Sequence, residues 1–195
     1  GSLTVLRATG TGTFVLGGTN TANVVSGVIS DGSGANLGGL SAVTKSGTGT
    51  WTLTGANTYT GATLVSAGTL SAASGALAAT SGITVNGAIL TAADFKSGAP
   101  LALDATGRAT ISGAGQNVGA VTNANATDAN ALNFTATTGT ITLASLSGAG
   151  KTTFGSAATV TGAISDGLVN VTGALIAGSI TGGTNTITGA ATVTT

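Results

Sequence analysis

The sequence has no cysteine, no histidine, no glutamate and no methionine among its 195 residues. Without cysteine there is no disulfide framework and no thiolate metal site. Without histidine as well, neither a Ser-His-Asp triad nor a Cys-His pair can be assembled. Charged residues make up 5% of the chain, against about 25% in an ordinary soluble domain. The cations are Arg7, Lys45, Lys96, Arg108 and Lys151, the anions are Asp31, Asp94, Asp104, Asp128 and Asp166, and the two sets cancel. Zero net charge gives no electrostatic ground for binding nucleic acid or an anionic membrane. It also removes the repulsion that keeps copies apart, so homotypic association, end to end or lateral, is expected. No apolar run approaches the roughly 20 residues that span a bilayer, and no direct membrane insertion is expected. Aromatic residues are 3% of the chain, and Pro100 is its one proline.

What remains is glycine, threonine, alanine and short aliphatic side chains. At 42% hydrophobic the chain is too apolar for the low-hydrophobicity, high-charge signature of disorder. Its core has to be built from Val, Ile, Leu and Ala. The reading is a single elongated body over 1–195, part of a longer protein.

Internal echoes organise that body. "GTGTFVLGGTNT" at 10–21 aligns with "GTGTWTLTGANT" at 47–58, and "GGTNT" at 17–21 returns at 182–186. "ISDG" at 29–32 returns at 164–167, and "ISGAG" at 111–115 is echoed by "LSGAG" at 146–150. No single period joins them. One structural theme is being rewritten with loops of varying length.

Within the echoes the pattern has period two. Trp51 and Leu53 alternate with Thr50, Thr52 and Thr54; Ile83 and Val85 with Thr84 and Asn86; Ile141 and Leu143 with Thr140 and Thr142. Such alternation marks half-buried strands, whose pleated surface suits Thr and other β-branched residues. Only 71–80 and 91–96 are compatible with a turn or two of helix. From residue 139 onward apolar anchors fall at Leu146, Phe154, Val160, Ile164 and Val169, then at Val171, Ile176, Ile180, Ile187 and Val193. Separations of about five to eight residues leave no room for crossover helices, which take a dozen or more. The pattern predicts an all-β parallel β-solenoid of short strands turning at glycine corners, with like-on-like Thr and Asn ladders. The stretch 91–108, with Pro100 and several charges, reads as an inserted loop.

"SGTGTWTLTGANTYTGATLVSAGTL" at 46–70 carries a further signal. It resembles the passenger-associated repeat of bacterial autotransporters. Gly47, Trp51, Leu53, Gly55, Asn57, Tyr59, Gly61, Thr63, Val65, Gly68 and Leu70 match that pattern in order. Residues 10–21 match its first half and depart from it at Ala22. The resemblance implies a right-handed parallel β-helix, located extracellularly or on the bacterial cell surface.

Several residues invite a chemical reading. Trp51 and Tyr59 suggest a sugar-stacking platform, but Trp51 shares a strand face with Leu53. That favours a Trp51 in the core, a Tyr59 capping a corner and an Asn57 bonding backbone at the turn. "SLSGAGKTT" at 145–153 ends like a phosphate-binding loop at Gly150-Lys151-Thr152. Ser145 replaces its first glycine, however, and no helix follows to hold a phosphate. Asp94 and Asp104 are a possible carboxylate pair across a coil, near Lys96 and Arg108, and read as a salt-bridged loop. Asp31-Gly32 and Asp166-Gly167 are turn signals, and the Gly-Asp nonapeptide of calcium-binding rolls is absent. The sequence therefore nominates no catalytic, cofactor-binding or metal residue and no cofactor.

Three functions are compatible with these residues: a non-catalytic structural solenoid (stalk, surface fibre or layer component), a binding module, and a polysaccharide-cleaving enzyme. The binding module would be an adhesin for a host surface or glycan, or an ice binder using Thr-x-Thr ladders. The enzyme lacks acid and base residues, and a shared fold alone does not license its function. The structural reading is preferred.

Overall fold

The computed structural model describes residues 3–4, 9–32 and 39–194. Among them are twenty-one strands and no helix. The first seven are β1 (Leu3–Thr4), β2 (Thr11–Leu16), β3 (Asn23–Val25), β4 (Ile29–Ser30), β5 (Leu40–Lys45), β6 (Thr50–Leu53) and β7 (Thr63–Val65). The next seven are β8 (Thr69–Ala72), β9 (Ile83–Val85), β10 (Ile89–Ala92), β11 (Leu101–Leu103), β12 (Arg108–Ile111), β13 (Asn117–Asn123) and β14 (Leu132–Phe134). The last seven are β15 (Ile141–Gly148), β16 (Lys151–Phe154), β17 (Ala158–Ser165), β18 (Leu168–Val171), β19 (Leu175–Ile180), β20 (Thr184–Ile187) and β21 (Ala191–Val193).

From β5 on, odd-numbered strands extend a ten-stranded sheet that begins at β2, and even-numbered strands from β6 extend a nine-stranded sheet that begins at β3. β1 and β4 form a short pair of their own. Every pairing is parallel. The chain thus alternates between two sheets, one strand of each per coil, and stacks coil on coil as a β-solenoid. A parallel sheet must cover its inner face, and here each sheet is covered by the other.

Register explains why the echoes have no fixed period. Val43 faces Thr63, Thr63 faces Ile83 and Ile83 faces Leu101, so these coils take 20, 20 and 18 residues. Val121 faces Leu146, 25 residues on. Then Val160 faces Ala177 and Ala177 faces Val193, 17 and 16 residues on. Strand spacing is preserved while the corners change length. Both "GGTNT" copies lie at the entry to the nine-stranded sheet, the first in the corner ahead of β3 and the second running into β20 itself. The "GTGTF" and "GTGTW" copies do not stack on each other, since Phe14 is in β2 and Trp51 in β6.

Alternation within each strand builds the core. Leu53, Ala72, Ala92, Ile111, Phe134 and Phe154 follow one another directly in register, and each is buried. Val43, Val65, Val85 and Leu103 belong to the opposing sheet and are equally buried. Each large aliphatic side chain removed from water contributes on the order of 1.5–3 kcal/mol. The column is continuous from coil to coil, so removing one member disturbs only its neighbours.

The fold is helix-free as expected, and two other expectations, the inserted loop and part of the anchor set, need correction. Residues 71–80 form a strand followed by tight turns closed by Ala76 N–H to Ala73 O and Ala78 N–H to Gly75 O, with no helix. The second helix-compatible stretch, 91–96, leaves β10 for a bend and irregular backbone. The expected inserted loop at 91–108 carries β11, paired with both β9 and β13, and begins β12; only 93–100 and 104–107 are corners. Among the anchors, Ile176 and Val193 are each 46% exposed, and Leu175 is the inward member of β19. Two adjacent aliphatic residues cannot both face inward, and the register of Leu175 with buried Ala158 decides between them.

Candidate functional site

The Trp51-to-Tyr59 passage is structural. Trp51 packs partly buried against the core, and its indole Nε1–H donates to the Gly17 carbonyl oxygen at 2.8 Å. Tyr59, expected at a corner, lies inside the core with 1% exposure. Its hydroxyl is 2.7 Å from Thr63 Oγ1, which is 3.0 Å from Thr80 Oγ1, a buried hydroxyl chain. Burial pushes the phenol up to about 12 despite those hydroxyl contacts. Asn57 does bond backbone at the turn, and it spans coils. Its Oδ1 accepts from Ile29 N–H at 2.8 Å and its Nδ2 donates to Ala76 O at 2.9 Å. Tyr59 therefore offers no face to a sugar, and Trp51 is held against the core.

The phosphate-loop echo is a strand corner between β15 and β16. Gly150 N–H donates to Asn123 O and Gly150 O accepts from Leu168 N–H, so its polar backbone is spent in the ladder. A Cβ at Gly150 would collide with the side chain of Asn123. The glycines of "SGAGK" therefore answer to the coil beneath them. No backbone nest is left for a phosphate.

The carboxylates stay apart in function. Asp94 accepts from Ser74 Oγ at 2.5 Å and Gly75 N–H at 2.9 Å. Asp104 Oδ1 accepts from the N–H groups of Gly87, Thr106 and Gly107. Burial opposes the charge of Asp104, yet these donors together hold its carboxyl below the ordinary value. Arg108, expected near Asp94 and Asp104, instead pairs with Asp128 at 2.9 Å. Asp31 closes a corner by accepting from Ser41 N–H at 2.6 Å and from Thr60 Oγ1 at 2.6 Å. Those bonds outweigh the effect of burial and lower its pKa. No group of three or more His, Cys, Asp or Glu able to hold a metal occurs among the described residues.

Two charged groups lie inside, where composition gave no warning. Lys45 is fully buried, and its ammonium donates to the carbonyl oxygens of Ser46, Gly47 and Ala67 at 3.2, 2.8 and 2.9 Å. Burial pushes its pKa down. The signal was present in the alternation, since Lys45 shares inward parity with Val43. Asp166 is 1% exposed. Its Oδ2 accepts from Thr152 Oγ1 at 2.7 Å, Thr152 Oγ1 accepts from Asn123 Nδ2 at 3.2 Å, and Asp166 Oδ1 has no partner. Burial raises this carboxyl to about 6, only partly offset by the Thr152 hydroxyl and Gly167 N–H.

The outer face of the nine-stranded sheet is the most regular surface. Thr52, Ser71, Thr91, Thr110, Asn133 and Thr153 stand in direct register in one outward column, continued by Asn170 and Thr186. None of the hydroxyls in this column bonds within the chain, in contrast to corner hydroxyls such as those of Thr60, Thr80 and Thr106. The matching column of the other sheet, through Val15, Thr44, Leu64, Thr84 and Ala102, is interrupted by aliphatic residues. A shallow groove of about 390 Å³ lies at the corners around Thr138, Thr140, Ser156 and Thr172. The Ser156 hydroxyl beside it is itself sealed from solvent.

The geometry defines a repeat-type parallel β-solenoid. The passenger-associated-transport-repeat family matches residues 6–27 and 43–72. The second match covers the whole 46–70 passage and the strands β6 to β8. Matched segments and fold together fit an autotransporter passenger repeat domain. The repeat implies a secreted or surface-exposed protein. Neither a curated protein nor a solved structure matches the chain. No helix among the described residues is long and apolar enough to cross a membrane.

Proposed function

We propose that this segment is a non-catalytic structural rod within an exported passenger, serving as a stalk, surface fibre or layer component. One observation carries the reading: two parallel ladders enclose a single apolar core along the stacked coils, and buried polar side chains such as Lys45, Asn57 and Asn123 are occupied with backbone and with one another. Length is obtained by adding coils, each bonded to the last. Homotypic association belongs to the same reading, because a surface with zero net charge sets up little repulsion between rods. The test is display of the full precursor on its own cells, followed by protease shaving and electron microscopy. Surface-exposed rods are expected. Retention inside the cell, or cleavage of a polysaccharide by the purified chain, would overturn the proposal. Sedimentation over a concentration series tests association separately, and a monomer at every concentration would remove it.

A further inference from the structure

The hydroxyl column of the nine-stranded sheet serves no purpose in the rod. A stalk needs its inner columns and corners, and outward positions can carry any soluble side chain. Here Thr52, Ser71, Thr91 and Thr110 occupy successive strands directly above one another. Parallel strands lie about 4.8 Å apart and alternate residues along a strand about 6.6 Å apart. Thr54 and Thr172, two residues beyond Thr52 and Asn170, add hydroxyls beside the line in the coils of β6 and β18. Each threonine holds its methyl stiffly, because a β-branched side chain has few rotamers in a strand.

The chemistry of the face narrows what it can meet. A protein partner needs aromatic or Arg anchors in a dry centre, and the column has none. A glycan is gripped through aromatic faces, and the one nearby ring, Trp51, is turned to the core. The two cations of this sheet, Arg108 and Lys151, are confined to the flanking column, where Arg108 is tied to Asp128. What fits is an uncharged partner that is itself a repeating lattice of hydrogen-bonding oxygens, in contact with methyl groups at fixed intervals. Crystalline water has that chemistry.

The geometry points to the outer face of the nine-stranded sheet, centred on Thr91 and Thr110, as an ice-binding surface. This goes beyond the stalk reading and does not depend on it. The full chain is tested for incorporation into slowly growing ice, with freezing hysteresis as a second readout. Three variants accompany it: Thr91→Lys and Thr153→Lys in separate coils of the column, and Thr84→Lys on the outer face of the other sheet. Circular dichroism confirms that each variant is folded. Wild type and Thr84→Lys should enter the ice, and each column variant should enter at least about tenfold less. Exclusion of the wild-type chain from ice overturns the assignment, as does equal loss in Thr84→Lys and Thr91→Lys or unchanged uptake by both column variants. None of these outcomes bears on surface display, so the two proposals fail independently.

Discussion

Phe134 and Phe154 lie one above the other in consecutive coils, their ring centroids 5.1 Å apart and their planes within 1° of parallel. That separation is close to the inter-strand spacing, so the stack is a direct consequence of placing Phe at one register position twice. Both rings are fully buried. Phe154→Ala should cost about 3–5 kcal/mol through lost burial and the cavity left behind. Phe154→Leu should cost roughly half as much, since it keeps most of the volume. Urea unfolding of both variants provides the check, and a Phe154→Ala loss below about 1 kcal/mol would place the ring outside the core.

Two glycines with almost the same backbone separate torsion from crowding. Gly68 and Gly115 have φ of 63° and 62°. A Cβ on Gly68 would strike the carbonyl oxygen of Gly49 in the preceding coil, whereas Gly115 has nothing within 4 Å. Gly115→Ala should therefore cost only the left-handed strain, about 1–2 kcal/mol. Gly68→Ala adds a backbone collision and should cost at least twice as much. Equal melting temperatures for the two variants would show that the corners can spread apart.

The sequence pattern disclosed the strands, their inward faces and the glycine corners, because each depends on neighbours one or two positions away. Coil length depends on corners whose residue count varies while register is kept, so Val121 could not be matched to Leu146 in advance. Partners across coils were hidden for the same reason: Arg108 meets Asp128 instead of Asp94 or Asp104. The two "ISDG" copies show the limit most plainly. Asp31 caps a partly exposed corner and is stabilised as a carboxylate, while Asp166 turns inward onto Thr152. Identical local sequence gives opposite electrostatics, decided by the coil on either side. The unspent outer column was legible only as scattered Thr-x-Thr runs, since its continuity is a property of register.

Tyr59 provides a titration free of overlap, being the only tyrosine in the chain. Ultraviolet absorbance should show its phenol ionising with a midpoint at about 12 in the folded protein, and near 10 once the chain is unfolded in urea. A native midpoint near 10 would return the ring to the surface. Tyr59→Phe should lose roughly 1–3 kcal/mol, because Thr63 is left with one fewer buried partner.

Asp166 makes the C-terminal coils sensitive to pH, with a sign opposite to that of Asp31 and Asp104. Its folded value is about 6 against an ordinary 3.8, so the folded protein holds this proton more tightly than the unfolded chain does. The stabilisation is fully present below pH 3.8 and is lost as pH rises through about 6. Asp31 and Asp104 are held below their ordinary value, so their contributions are present above it and are lost as pH falls. The two effects occupy different coils and can be resolved by amide hydrogen exchange, corrected for its intrinsic pH dependence. Protection of Leu168–Val171 should weaken as pH is raised from about 4.5 to about 7, while protection of Val43 and Val65 holds. The ionised carboxylate keeps one oxygen buried without a partner, and a buried uncompensated charge loosens the coils that enclose it. Asp166→Asn removes the titration and should flatten the dependence across that interval. If the variant shows the same pH slope as the wild-type chain, Asp166 is not its source.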